Sequence, residues 1–172
     1  MIEIRKIDAA HKADANIPNQ PFEIRGRLIP SLRNGKWEYQ VKESSEITEM
    51  CFPDFPYDPA EDDSIFLGAY DGTDCVGVAV LRKALFRYLY LDDLKVNREY
   101  RNKGVGALLI DACMEQARSA QMQGVYTIGQ DNNLAACLFY LHRGFEIGGF
   151  DNRGYRGTVQ EDKADIYFYK DC

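Results

Sequence analysis

The sequence predicts a mixed α/β sheet, antiparallel in its early strands and with a parallel pair later. Three observations point there. Two hairpin signals, Asn34-Gly35 and Asp71-Gly72, come early in the chain. Val76, Val78 and Val80 alternate with smaller residues, as a half-buried strand does. The apolar period then changes: Val105, Leu108, Leu109, Ala112, Cys113 and Ala117 recur at three- and four-residue steps, a helical face. Strands first, then strand–helix–strand–helix–strand–strand, is the order of a mixed sheet flanked by helices.

Residues 27–31 and 36–41 flank Asn34-Gly35, a turn whose two central residues need positive φ. Residues 65–70 and 75–81 flank Asp71-Gly72 in the same way. An extended run covers 88–96, and a long helix covers 104–120. Gly124 closes the connection to a short strand at 125–129. A second helix covers 134–142, capped by Asp131, Asn132 or Asn133 and stopped by Gly144. Residues 145–150 and 166–169 read as closing strands. The N-terminal third reads as largely irregular. No internal repeat appears, and a single domain over 1–172 is expected.

At 172 residues and 45% hydrophobic, the chain suits one domain that buries roughly 70% of its unfolded surface. No stretch approaches ~20 apolar residues, so no membrane span is expected. The charged first 20 residues have no apolar block, so a signal peptide is not expected and the default compartment is the cytoplasm. Five cysteines, without Cys-x-x-Cys, suggest neither a disulfide framework nor a zinc site, and His11 and His142 have no metal-ligand spacing. No metal is expected.

A net charge of −6 argues against nucleic-acid binding. Its distribution says more than its sum. Glu43, Glu46, Glu49, Asp54, Asp58, Glu61, Asp62, Asp63, Asp71 and Asp74 follow one another with no intervening Lys or Arg. Between residues 82 and 103 stand seven basic residues against three acidic ones. The acidic run reads either as a solvated loop or as a site for a cation, and the basic run suits an anion.

Chemistry concentrates after the 88–96 strand, in Arg101-Asn102-Lys103-Gly104-Val105-Gly106. Glycines let backbone approach a ligand. The first N–H groups of a helix lack internal partners and, with the helix dipole, favour an anion. Arg101 and Lys103 add positive charge. The loop reads as a pyrophosphate cradle. Neither Gly-x-x-x-x-Gly-Lys-Ser/Thr nor Gly-x-Gly-x-x-Gly is present.

Arg-x-x-Gly-x-Gly after a strand ending Leu94-Lys95-Val96 resembles the acetyl-CoA signature of the GNAT N-acetyltransferases. Asn133-x-x-Ala136-x-x-x-Tyr140 followed by Gly144-Phe145 resembles that family's second motif. Residues 19–24 (Asn-Gln-Pro-Phe-Glu-Ile), Leu28-Ile29-Pro30, a Trp37-containing strand, residues 90–94 (Tyr-Leu-Asp-Asp-Leu), Gln130-Asp131-Asn132-Asn133 and Gly148-Gly149-Phe150-Asp151 resemble the streptothricin acetyltransferase subgroup over most of the chain. There are departures: Asp92-Asp93 stands where Glu-Asp is usual, Ile128 where Glu is frequent, and residues 152–172 align loosely. The resemblance implies a mostly antiparallel central sheet whose parallel pair splays at the acetyl-CoA site.

The resemblance further implies that the backbone of Leu94, Lys95 and Val96 pairs with the pantetheine arm. It implies that the loop at Arg101, Asn102, Lys103, Gly104, Val105 and Gly106 takes the pyrophosphate, that Asn133 contacts the carrier, and that an N–H near Val96 faces the thioester oxygen. Acetyl-CoA is thus the expected co-substrate. A lysine-like amine, with pKa ~10.4, is neutral in about one molecule in 2,000 at pH 7, so the reaction needs a base. Asp is disfavoured inside strands, which marks the Asp92-Asp93 pair. Strict alternation puts Asp92 on the face of Tyr90 and Leu94, and Asp93 on the other, unless a bulge intervenes. Asp92 is read as the base, and Asp93 and Asp62 as contacts to a cationic substrate. Tyr140, by its family position, is the acid that protonates the leaving thiolate. Direct transfer in a ternary complex is expected rather than an acetyl-Cys route through Cys113 or Cys137.

The acceptor is expected to be a small cation. Streptothricin, with its β-lysine arm, suits both the resemblance and the acidic run. The alternatives are a polyamine or another small amine or lysine, or a module that binds acetyl-CoA without turnover. Asp54, Asp58, Glu61 and Asp63 are further acceptor-side candidates, with Phe52, Phe55, Tyr57 and Trp37 as possible lining. No nucleic acid or membrane is expected as a partner, and the chain is expected as a monomer or homodimer.

Overall fold

The computed structural model describes residues 1–84 and 86–172. They form β1 (Ile2–Lys6), β2 (Phe22–Arg33), β3 (Lys36–Met50), β4 (Ile65–Asp71), β5 (Asp74–Lys83), β6 (Tyr88–Val96), α1 (Val105–Ser119), β7 (Gly124–Gln130), α2 (Leu134–His142), β8 (Glu146–Asp151) and β9 (Asp165–Asp171), with three single 3-10 turns. The fold class is the mixed α/β one read from the sequence. The chain divides into two compact units. One comprises Met1–Gln20, Phe52–Val125 and Asp171–Cys172, the other Pro21–Cys51 and Tyr126–Lys170. No helix among the described residues is long and apolar enough to cross a membrane.

In the first unit the strands run β1-β4-β5-β6, each pair antiparallel. A hairpin joins β4 to β5 as expected, but its turn sits one residue further on, at Gly72-Thr73: Asp71 ends β4 across from Asp74, and Gly72 has φ 65. α1 packs across β4, β5 and β6. It buries Val105, Leu109, Ile110, Cys113, Met114 and Ala117, the face its sequence period predicts. The opposite face of the sheet buries Ile7, Ala15, Phe66, Val78 and Val80, with Ile17 and Tyr57 packed against them.

In the second unit Asn34 and Gly35 adopt φ 50 and 73, and the hairpin they close is much longer than the turn signal alone suggests. Most of β3 is exposed. β7, β9 and β8 lie in that order, with β9 and β8 antiparallel. Leu28, Ile166 and Phe168 are fully buried there.

Three expectations change. The N-terminal third is regular: Ile2–Lys6 pairs with β4, and the long hairpin fills residues 22–50. The acidic run is not one loop, because Glu43, Glu46 and Glu49 belong to β3. Gly124 opens β7 rather than closing the connection. The left-handed residue just past α1 is Gln121, at φ 54.

Gly77 sets how closely α1 lies on the sheet. A Cβ there would stand 3.1 Å from the Lys95 carbonyl oxygen, 3.2 Å from Leu109 and 3.4 Å from Val105. Gly77→Val is therefore expected to cost about 1–3 kcal/mol by overpacking. A lowered urea midpoint checks this; an unchanged midpoint contradicts it.

Candidate active site

β6 ends at Val96 and leads into the glycine loop. Asn102 and Gly104 adopt φ 60 and 84, so the chain turns sharply before α1 starts. Gly104 is the N-cap residue of α1. No side chain caps this end, and no acid lies in the first turn. A Cβ on Gly104 would meet nothing within 4 Å, so Gly104 itself is uncrowded. Lys103 is exposed, its ammonium 5.8 Å from the Tyr100 ring centre. These are the features an anion needs at a helix N-terminus.

Arg101 is used differently from the simple expectation of a loose cation. Its Nε donates to the Val96 carbonyl at 3.0 Å and its Nη2 to the Gln20 carbonyl at 3.3 Å. The guanidinium thus braces the loop against the strand end. The Gln20 side chain adds a second brace by accepting from the Arg98 N–H.

Upstream on β6 lies a bulge. Val80 pairs with Asp93 but Leu81 with Leu91, so Asp92 is an extra residue. Strict alternation therefore fails here. Beyond the bulge the odd positions take over the face: Asp93 pairs with Val80 and Lys95 with Val78, while before it Tyr90 pairs with Arg82. Asp92 and Asp93 consequently meet one group of side chains instead of two.

That group is built around Arg82 and Tyr57. Arg82 Nε donates to Asp92 Oδ2 at 2.5 Å, and Nη1 donates to Asp62 at 3.3 Å (Oδ1) and 3.1 Å (Oδ2). The Tyr57 hydroxyl donates to Asp93 Oδ2 at 3.2 Å, and the Lys95 ammonium lies 3.2 Å from the same oxygen. Both cations lie over the Tyr57 ring, at 5.9 Å for Arg82 and 5.8 Å for Lys95. Burial, then the nearby Asp93 and Asp92 charges, push the Tyr57 phenol well above its ordinary range, so it stays a donor. The Ser64 hydroxyl, with Arg82 as a lesser cause, holds Asp62 below the usual carboxylate range. Three carboxylates against two cations leave this cluster one negative charge in excess.

The sequence reading singled out Asp62, Asp92 and Asp93, and the structure gathers all three. It missed Arg82. The signal was present, because Val76, Val78 and Val80 continue by twos to Arg82, a charge at the end of an apolar face. Other acidic candidates have local duties: Asp54 accepts from the Asn19 N–H at 2.7 Å, and Asp58 from the Ala60 N–H at 3.0 Å and from Lys12 at 3.3 Å. Glu61, Asp63 and Phe55 are exposed. Trp37 lies on β3, in the second unit.

The second unit also holds Asn133 and Tyr140. Asn133 caps α2, its side-chain oxygen accepting from the Ala136 N–H at 3.3 Å. Tyr140 is 8% exposed, with its ring centre 5.4 Å from Phe145 and 5.5 Å from Phe168. Cys113 and Cys137 are buried, which pushes both thiols up to about 12.

Residues 29–145 match the Acetyltransferase (GNAT) family. Streptothricin acetyltransferase A of Bacillus subtilis (strain 168) is 31% identical over 170 residues, covering 96% of this chain and 98% of that protein. A streptothricin acetyltransferase of Escherichia coli is 30% identical over 157 residues, 91% of this chain and 80% of that one. A candidate streptothricin acetyltransferase of Bacillus anthracis str. Ames, crystallised in complex with acetyl coenzyme A, superposes with a TM-score of 0.91 at 30% identity, each chain covered in full. A match that runs from β2 through the glycine loop to the end of α2 makes this chain a member of the acetyltransferase (GNAT) family.

Proposed function

We propose that the protein moves an acetyl group from acetyl-CoA to a primary amine of a small polycation, streptothricin, by direct transfer in a ternary complex. The observation that carries this reading is the opening of α1: uncapped, free of acid in its first turn and uncrowded at Gly104. Support for the co-substrate and acceptor comes from the relatives named above, two of them streptothricin acetyltransferases and one crystallised with acetyl coenzyme A.

In this reading the amides of Lys103 to Gly106 hold the diphosphate, and Lys103 adds charge. Arg101 keeps the loop in shape. The thioester supplies the acetyl group. An N–H near Val96 donates to the oxygen on which negative charge develops. Asp92 takes the amine proton, directly or through water, and Tyr140 returns a proton to the thiolate. The role of Tyr140 rests on its motif position. Transfer through an acetyl-Cys is disfavoured, since a thiol raised to about 12 supplies almost no thiolate near pH 7.

The direct test is acetyl-CoA-dependent thiol release with a panel of streptothricin, a linear polyamine and a lysine peptide. Release with streptothricin at the highest kcat/KM is expected. Release only with the polyamine moves the acceptor assignment, and none with any amine overturns it. Three further outcomes follow from the assigned roles. Gly106→Val covers the first-turn amides, so calorimetry should find acetyl-CoA binding at least about tenfold weaker. Tyr140→Phe should lower kcat about 10²-fold while acetyl-CoA affinity stays within about twofold; an unchanged kcat across pH removes the acid role. The KM for a polycationic acceptor should rise with salt, because exposed charges are screened beyond a Debye length of about 8 Å at physiological ionic strength.

A further inference from the structure

The three carboxylates of the β6 cluster are not alike. Both oxygens of Asp62 are occupied. Oδ1 accepts from the Ser64 N–H at 2.9 Å and the Ser64 hydroxyl at 2.5 Å, and Oδ2 accepts from Arg82 at 3.1 Å. Asp92 and Asp93 each spend only Oδ2, on Arg82 and on Tyr57 with Lys95 respectively. Among the described residues, Oδ1 of each has no partner, and the side chains keep 27% and 24% of their exposure. An ammonium seeking a carboxylate therefore finds an open oxygen on Asp92 and on Asp93, but none on Asp62.

We propose that Arg82 is a positioning residue of the acceptor site, a strut that fixes Asp92 from the Asp62–Ser64 turn and leaves the second oxygen of Asp92 for the acceptor amine. This rests on the acetyl-transfer reading above and deepens it. It also moves Asp62 from acceptor contact to the foot of the strut.

The geometry supplies the reason a strut is needed. Asp92 is the extra residue of the bulge, and β5 has no residue directly across from it. Its position is set by side-chain bonds rather than by the ladder. Arg82, across from Tyr90, reaches Asp92 diagonally. A guanidinium has donors in a fixed plane, so Nε and Nη1 engage two carboxylates at a set angle; an ammonium on a flexible stem does not. Ser64 holds Asp62, Asp62 holds Arg82, and Arg82 holds Asp92.

The test compares Arg82→Gln, Arg82→Lys, Asp62→Asn and the double variant Arg82→Gln/Asp62→Asn, in the full-length enzyme with streptothricin and acetyl-CoA. Arg82→Gln should raise the acceptor KM at least about tenfold while the acetyl-CoA KM stays within about twofold. Arg82→Lys should recover only part of the loss. Asp62→Asn should give a smaller rise, and no further rise when added to Arg82→Gln. Arg82→Lys keeps a cation against Asp62 and Asp92, so it replaces Arg82→Gln as the background for Asp62→Asn if Arg82→Gln does not fold. An additive Asp62→Asn effect shows Asp62 touching the acceptor itself and overturns the proposal. So does an Arg82→Gln variant whose two KM values move together or not at all. Wild-type protein that releases no thiol with any amine of the panel overturns the acetyl-transfer reading itself, a different result from active wild type with an unaffected variant.

Discussion

One surplus residue in β6 governs what the first unit presents to its surroundings. With Asp93 kept across from Val80, an unbulged strand would put Asp92 beside Leu81, which is 1% exposed. A carboxylate desolvated in such a place without a partner costs several kcal/mol. It would also turn Leu91, likewise 1% exposed, toward Arg82. The bulge removes both conflicts. It keeps the leucines with the apolar side chains and gives both aspartates to the face where Arg82, Tyr57 and Lys95 wait. Packing energy therefore dictates the electrostatics.

Much of this was legible in the residue order, for local reasons. Asn34-Gly35 marks its hairpin through turn chemistry, with both residues at positive φ, and Gly72 marks the second turn, which falls on Gly72-Thr73 rather than on Asp71-Gly72. The long helix follows from three-and-four spacing, and Leu134–His142 is bounded as expected by Asn133 and Gly144. Even the bulge leaves a trace: Leu89 and Leu91 are two apart, but the next leucine is Leu94, three on. Less was legible where partners lie far apart in the chain. β1 is five residues whose Ile-x-Ile alternation is too short to stand out, and its strand state depends on β4. Arg82 meets Asp62 and Asp92 across 20 and 10 residues, and no local pattern predicts which carboxylates it takes.

Charge counting in the sequence exaggerates the field available to a ligand. Ten acids without a base suggest a broad negative lure. Folding brings Lys12 to Asp58 and Arg82 to Asp62, and part of the lure is cancelled. What survives is narrower: single open oxygens on Asp92 and Asp93, beside cations that fix where those oxygens stand. A site of that kind discriminates by geometry more than by bulk attraction.

The β2–β3 hairpin carries a different consequence. It forms a sheet of two strands only, so the far side of the 15-residue β3 has no neighbouring strand among the described residues. A bare edge of that length is a template for fibril growth. Lys36, Glu38, Lys42, Glu43, Glu46 and Glu49 interrupt it every few positions, and the register breaks between Ile24 and Gly26 across from it. Stacking identical ribbons in register would set like charges against each other along the whole length. The same acids that resemble a substrate lure thus serve as gatekeepers, and the ribbon can stay long without becoming sticky.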